Sequence, residues 1–458
     1  MSPSRRSFHV VSLGCPKNAV DAEVLGGILV REGFRTSRRP ETADVVIVNT
    51  CAFILPAKEE SIEAVLAAAE LKRKGHVRRL VVTGCLPQRY GKSLHREIPE
   101  IDLCLGIDDI PKIASRLAGL ETSNPHPFLY PARHPRFLMD AGLPRRREAP
   151  TFTACLKIAD GCSNRCSYCV IPSIRGRARS RPPDDIFAEA EALVASGAKE
   201  ILLIAQDTTA YGRDLKEKPH LAELLAGLCA IGGLRWIRLL YAYPHRIDDR
   251  LLSVMAANPK ICRYLDIPIQ HIHDGILRAM RRKGGSRAIG RAVHRAREAM
   301  PDIALRTSLI VGFPGETKKA FQELSNFVRD ARFDHLGVFS YSPEEGTGAA
   351  KLAPRVGRKE TERRREAILE EQARISLAIN RTLVGSRQEA LIEGKSDDPN
   401  YDYVGRLRRQ APEVDGITYV RGRSLKPGDF VTVQITDAAE YDLYAEVVAA
   451  SALNRKRK

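Results

Sequence analysis

Nowhere along its 458 residues does this chain carry an apolar run of bilayer-spanning length, which argues against a membrane-spanning helix. Met1 to Gly14 lack the apolar core and cleavage pattern of a secretory leader, so the cytoplasm is the expected location. No sequence period recurs that would build a solenoid. Cysteine is sparse: ten are spread over the whole length, and in a long intracellular chain they serve as metal ligands or small packed groups, not as a disulfide framework. Acidic balance is missing too. The formal net charge of +17 is compatible with contact to nucleic acid or a ribonucleoprotein, and equally with an arginine-rich proteome. The length calls for two to four domains.

What is present is concentrated in Gly161-Cys162-Ser163-Asn164-Arg165-Cys166-Ser167-Tyr168-Cys169, which follows the strand-like run Ala154 to Asp160. Three thiols at C-x3-C-x2-C spacing can wrap one metal centre, and thiolates favour zinc or iron–sulfur. Structural zinc takes four ligands in two knuckles, and no second pair lies nearby. A four-iron cluster held by three cysteines would keep one iron open. A zinc loop, or three unrelated thiols, is the alternative.

The first region, residues 1–120, alternates short apolar runs (Phe8 to Leu13, Asp44 to Asn49, Arg79 to Thr83, Ile101 to Leu105) with helical stretches such as Ala19 to Arg31 and Ala57 to Lys74. That alternation predicts a parallel sheet with crossover helices. Cys15, Cys51 and Cys85 each follow one of these strands, at separations of 36 and 34 residues. In a parallel sheet all carboxyl ends share one edge, where ligands bind, so three distant thiols are expected to converge on a second cluster. The alternative is small residues filling strand ends. Cys104, Cys155, Cys229 and Cys262 lie within apolar segments and are read as packed thiols.

Residues 121–150 are Pro-rich and basic, a linker whose run Arg145-Arg146-Arg147 is expected to be solvated. Residues 151–357 repeat strand and helix six times, which predicts an open, partial barrel with site residues at the strands' carboxyl ends. Polar groups stand there: Gln206-Asp207-Thr208, Gln270-His271 and Gly312-Phe313-Pro314-Gly315-Glu316-Thr317. His271 and His273 lack a third ligand at suitable spacing and are expected to be structural. Ile174 to Arg181 places alternate arginines on one side of an extended segment, either a clamp for an acidic group or a solvated loop. A charged helix over residues 358–383 carries Ile368, Ile375 and Ile379 on one stripe. Residues 384–447 read as a small five-stranded barrel, and residues 448–458 as a basic tail.

The cysteine loop, with Tyr168 before its last cysteine, resembles the signature of the radical S-adenosylmethionine enzymes, and the terminal barrel resembles a TRAM domain. Together with the first region they resemble the methylthiotransferases over nearly the whole chain. Ser12-Leu13-Gly14-Cys15-Pro16-Lys17-Asn18, Tyr264 to His271 and Phe339 to Thr347 are similar to the branch that modifies an aspartate of a ribosomal protein. The resemblance implies that Cys162, Cys166 and Cys169 hold a 4Fe–4S cluster that reductively splits S-adenosylmethionine, with Gln206 and Asp207 at the cofactor's polar end. It implies that Cys15, Cys51 and Cys85 hold an auxiliary 4Fe–4S cluster carrying the sulfur. A second S-adenosylmethionine would give the methyl group, an external donor the electrons, and a separate source the sulfur. The implied substrate is the β-carbon of an aspartate on the twelfth small-subunit ribosomal protein, free or in the ribosome. Methylthiolation of prenylated adenosine in tRNA is the alternative, and a non-catalytic, metal-stabilised RNA-binding protein a further one. Residues 384–447 hold eight Lys and Arg against twelve Asp and Glu, and an RNA-gripping barrel should be basic.

Overall fold

The structure, a computed structural model, describes residues 6–120, 131, 135–148 and 151–448. Most of the linker's first half and the basic tail Arg455 to Lys458 lie outside the described residues. The amino-terminal domain is a five-stranded sheet: β1 (Ser7–Ser12), β2 (Arg35–Thr36), β3 (Val45–Thr50), β4 (Arg79–Gly84) and β5 (Leu103–Leu105). Its order is β2-β1-β3-β4-β5 and every pairing is parallel. All six residues of β3 are buried, as expected of a parallel strand covered by helices on both faces. The four apolar runs are found as strands. The additional β2 spans only two exposed residues, too few for any periodicity to announce it.

The central domain has β6 (Thr153–Lys157), the short hairpin β7 (Ala159–Asp160) and β8 (Arg179–Ser180), then β9 (Glu200–Ile204), β10 (Trp236–Leu239), β11 (Ile261–Asp266), β12 (Ala304–Val311) and β13 (His335–Ser340). Six of these form one sheet in the order β13-β12-β11-β10-β9-β6, all pairings parallel. Chain order therefore equals spatial order. β13 and β6 remain unpaired edges among the described strands, which makes the barrel partial, as expected.

The last five strands, β14 (Arg387–Lys395), β15 (Tyr403–Leu407), β16 (Thr418–Arg421), β17 (Phe430–Ala438) and β18 (Leu443–Val447), close into a barrel ordered β14-β15-β16-β18-β17. Its core is small: Ala390, Ile392, Leu407, Val420, Val433, Ile435, Leu443 and Ala445. The helix Arg358–Arg381 buries Ile368 and Ile375 against the central domain. Along its length Gln372 donates to the Phe333 carbonyl at 2.7 Å, Ser376 to the Asp334 carbonyl at 2.9 Å and Asn380 to the Ala439 carbonyl at 3.1 Å. It therefore belongs to the central core and also seats the barrel.

One expectation is corrected by the packing. Arg145 is not solvated: it is buried between Glu23 and Glu189, because the described end of the linker crosses the junction of two domains. The barrel is likewise bolted down by charge. Glu200 of β9, fully buried, accepts from Arg238 Nε at 3.0 Å and from Arg406 Nη2 of β15 at 2.6 Å. Burial alone would raise the Glu200 carboxyl, but Arg406 and Arg238 outweigh it and hold it down at about 2.

Removing one partner of such a network leaves buried charge uncompensated. Glu200→Gln is expected to cost about 3–5 kcal/mol in urea unfolding. A depressed carboxylate stabilises fully above its unfolded value of 4.5 and loses that contribution as pH falls toward about 2, so acid titration should weaken the wild type in that window and the variant less. Identical urea and acid profiles would refute the role given to Glu200.

Candidate functional site

The carboxyl edge of the first sheet gathers its three thiols as parallel topology requires. Cys15 caps the helix Pro16–Arg31, Cys51 follows β3, and Cys85 opens the helix Cys85–Glu97 directly after β4. Gly14 has φ of +92°, and a β-carbon there would lie 2.7 Å from Cys51 Cβ. A side chain at residue 14 is thus excluded twice, by conformation and by the neighbouring loop. Asn18 ties the loops together, donating to the Leu13 and Thr50 carbonyls at 2.8 Å each. Its Oδ1 lies 3.9 Å from Cys85 Sγ.

The second triad lies after β6 and β7. Gly161 has φ of +76°, with the Arg177 carbonyl 2.2 Å from where a β-carbon would sit, so the loop folds tightly against its own return. Cys162 N donates to the Gly176 carbonyl at 3.0 Å, Cys169 N to the Cys166 carbonyl at 3.2 Å, and Ser167 Oγ to the Ala279 carbonyl at 2.6 Å. Cys166 Sγ is 3.6 Å from the Tyr243 hydroxyl, and the Arg282 guanidinium stacks 3.8 Å from that ring's centroid. Asp207 lies in the same cleft as Cys162, paired with Arg246 and accepting from Asn164 at 2.6 Å. The Gln206 amide donates to Asp160 at 2.9 Å, while its Oε1 is buried with no partner among the described residues.

Between the triads stands Arg175. It donates from Nη1 to Asp21 at 2.6 Å and Asp160 at 3.2 Å, and from Nη2 to Asn18 at 2.6 Å, with Cys85 Sγ at 3.8 Å. Lys157 pairs with the same two carboxylates. Lys17 Nζ sits 3.5 Å from the centroid of the Tyr241 ring, and Tyr241 itself holds a φ of +61°, a strained conformation of the kind stored at functional sites. Further out, Glu344 of the motif after β13 receives Lys58 at 2.8 Å and Arg89 at 3.0 Å. The first thiol triad and Arg175 therefore lie at a junction of two domains that is closed by ion pairs.

Burial pushes the Cys51 thiol up, and pushes Cys85 and Cys169 to about 12 and Cys162 to about 11. Burial acts on Cys15 as well, but Lys17 and Arg175 overcome it and bring that thiol below its ordinary value. Metal binding must therefore displace protons from most of these groups. Among the described residues no three His, Cys, Asp or Glu are drawn together tightly enough for a single ion. An all-thiol triad fits an iron–sulfur cluster, in which each cysteine holds a different iron.

Ile174 to Arg181 is not the one-sided clamp or solvated loop the alternation suggested. The turn Ile171–Ile174 is helical, so the segment is not extended where the pattern begins. Arg175 and Arg181 are buried, the latter on Asp185 and Glu189, and Arg179 donates to the carbonyls of Arg175, Arg177 and Phe137. His271 and His273 are structural, as expected: His271 Nδ1 accepts from the amides of Ile272 and His273 at 2.9 Å each, and His273 caps the helix Asp274–Ala279. Cys104 and Cys262 are fully buried and Cys155 and Cys229 partly so. Sequence reasoning missed Asn18, Asp21, Arg175 and Glu344 as members of the junction. The one signal was polar residues in the turns just after Cys15, where a helix covering a sheet is otherwise apolar.

Comparison with known proteins divides the chain in the same way. Residues 7–106 match Uncharacterized protein family UPF0004, residues 156–328 the Radical SAM superfamily, and residues 384–448 the TRAM domain. The chain is 55% identical over 447 residues to the ribosomal protein uS12 methylthiotransferase RimO of Syntrophus aciditrophicus, covering 97% of this chain and 99% of that one. It is 49% identical to the protein of the same name from Geobacter sulfurreducens, covering 98% and 100%. Among solved structures, the radical S-adenosylmethionine methyltransferase TsrM from Kitasatospora setae aligns with a TM-score of 0.56 at 16% identity, over 86% of this chain and 81% of that one; this likeness concerns the fold alone.

Because the thiolate is the reactive form, Cys15 of the metal-free chain is expected to alkylate at pH 8 at least about tenfold faster than Cys85. Lys17→Met should remove much of that advantage. Peptide mapping after timed iodoacetamide treatment measures both rates, and equal rates would contradict the electrostatic asymmetry.

Proposed function

The chain belongs to the ribosomal protein uS12 methylthiotransferase family RimO, and from that premise we propose how its residues divide the work. It is a radical S-adenosylmethionine methylthiotransferase of ribosomal protein uS12. Cys162, Cys166 and Cys169 hold the cluster that engages S-adenosylmethionine, and Cys15, Cys51 and Cys85 hold an auxiliary 4Fe–4S cluster that handles sulfur. The observation that carries this division is Arg175, which follows the central thiol triad in the chain and reaches across the domain junction to Cys85.

The modified position is the β-carbon of an aspartate, which has no acidic C–H bond, so a side-chain base cannot activate it at neutral pH. Bound at the central triad, the cluster and S-adenosylmethionine supply one-electron chemistry strong enough to take hydrogen from such a carbon. The chain's own residues prepare the place. Asn164 and Arg246 hold Asp207 beside Cys162, where its carboxylate suits the ammonium end of the cofactor. Gln206 brings an unpartnered buried oxygen to the same strand end. Tyr243 and Arg282 crowd Cys166 and keep water from its sulfur. On the other side Lys17 and Arg175 place positive charge where three thiolates would gather, which offsets the cost of holding them as anions. Electrons and sulfur come from outside the chain. No helix of the described residues is long and apolar enough to cross a membrane, and the cytoplasm is the compartment where substrate and a reducing supply meet.

Alanine at Cys15, Cys51 or Cys85 is expected to leave reductive cleavage of S-adenosylmethionine in place and abolish methylthiolation. Alanine at Cys162, Cys166 or Cys169 should abolish both. Anaerobic assays with reconstituted protein, uS12 and prenylated tRNA together, read by mass analysis of deoxyadenosine and both macromolecules, decide it. Equal loss of both activities in the two sets would defeat the division of labour, and an adduct on tRNA would defeat the substrate.

A further inference from the structure

One buried cation at the junction of the first two domains has no acidic partner among the described residues. Lys157, Arg175, Arg181, Arg238 and Arg406 are all buried, and each meets at least one carboxylate. Lys17 is only 8% exposed and meets none. Its ammonium rests instead 3.5 Å from the centroid of the Tyr241 ring. The charges nearby offer no spare anion, because Arg175 and Lys157 are already matched by Asp21 and Asp160. Cys15 lies within electrostatic reach, yet a thiolate given to a metal shares its charge with that metal. Burying an ammonium without a counter-ion is costly, and the cost is relieved where a ligand brings the anion.

The backbone that carries this charge is fixed. Pro16 opens the helix, and Asn18 ties the loops by donating to the Leu13 and Thr50 carbonyls, so Lys17 can move only through its flexible four-carbon stem. Tyr241, just after β10, is held in the left-handed conformation with its ring against the ammonium. Two residues further on, the Tyr243 hydroxyl is 3.6 Å from Cys166 Sγ. Two residues of chain span at most about 7 Å. One short turn therefore carries both the ring that seats Lys17 and the hydroxyl beside the central triad. Cys15 and Tyr241 are partly exposed, which leaves the ammonium open to approach.

We propose that Lys17 receives the side-chain carboxylate of the aspartate that is modified. The proposal rests on the assignment of an aspartate of uS12 as substrate. The carboxyl carbon is bonded directly to the β-carbon, so an ammonium that fixes the one also positions the other. The bond from ammonium to carboxylate is charge-assisted, and the face of Tyr241 continues to stabilise the cation from its other side. The same charge gives selectivity. The base of a prenylated adenosine is neutral, and in its presence Lys17 would stay buried without a counter-ion.

The test is a double-mutant cycle read by anisotropy titration, with S-adenosylmethionine present and reductant withheld so that nothing turns over. Full-length, cluster-loaded enzyme, wild type or Lys17→Met, is titrated against fluorescein-labelled uS12 in which the position found methylthiolated by mass analysis is either the native aspartate or asparagine. The wild type should bind the native protein about tenfold more tightly than the asparagine form. Lys17→Met should bind both alike, at the affinity the wild type shows for the asparagine form. Lys17→Arg, which keeps the charge, should retain a preference for aspartate. The preference is read on one enzyme at a time, so a difference in cluster content between variants does not enter it. Equal affinity of the wild type for the two proteins would overturn the contact, as would a Lys17→Met variant with the full wild-type preference. A wild type that neither binds nor methylthiolates native uS12 would defeat the assigned substrate, and the contact with it.

Discussion

A guanidinium taken out of water must find its full set of partners, and Arg175 finds them only when two domains are together. Asp21 and Asn18 come from the helix after β1, Asp160 and Lys157 from the strand and turn beside the cysteine loop. The charges close: Arg175 and Lys157 against Asp21 and Asp160. Apart, the central domain would hold two buried cations against one carboxylate, and the first domain one buried carboxylate with no cation beside it. Breaking such a group costs several kcal/mol, although forming it gains far less than the Coulomb energy suggests. The network therefore specifies where the domains dock more than how tightly. That placement brings Cys85 within reach of the arginine that follows the other triad.

The same device recurs at the barrel. Glu200 sits on β9, next to the strand that leads into the cysteine loop, and takes one arginine from β10 and one from β15. Tyr264 adds a hydroxyl donated to Asp415 at 2.7 Å, and Arg306 pairs with both Asp266 and Asp415. Each interface adds buried, directional polar contacts to the apolar packing that also crosses it, and those contacts resist sliding where apolar packing alone would tolerate it. If, as proposed, the two thiol triads act on one protein substrate, fixed relative placement matters because effective concentration falls steeply with small displacements.

Much of this was legible because it follows from periodicity and spacing. The strands of both sheets are short apolar runs separated by amphipathic stretches, and the three isolated cysteines follow strands in a parallel sheet, so their convergence is a matter of topology. The five-stranded barrel is written in alternation such as Val431 to Ile435. What stayed hidden depends on pairs far apart in the chain. Arg145 reads as one of three solvated arginines until Glu23 and Glu189 arrive from two other helices. Arg175 reads as the start of an extended basic segment, and only the short helical turn before it shows that it points inward.

The distribution of charge now has a physical sense that the total of +17 conceals. Arginines are placed where carboxylates must be buried, at Asp21, Asp160, Glu189 and Glu200, and where thiolates are proposed to gather around metal. A planar guanidinium serves both tasks because it can satisfy several acceptors in one plane without losing its proton. Lysine appears where a single point charge suffices, as Lys17 does against Tyr241 and beside Cys15. Each arginine–carboxylate pair takes up one cation and one carboxylate, so the excess of +17 lies on the groups that remain. A strongly basic chain can still end in a barrel of acidic balance, since residues 384–447 hold eight Lys and Arg against twelve Asp and Glu.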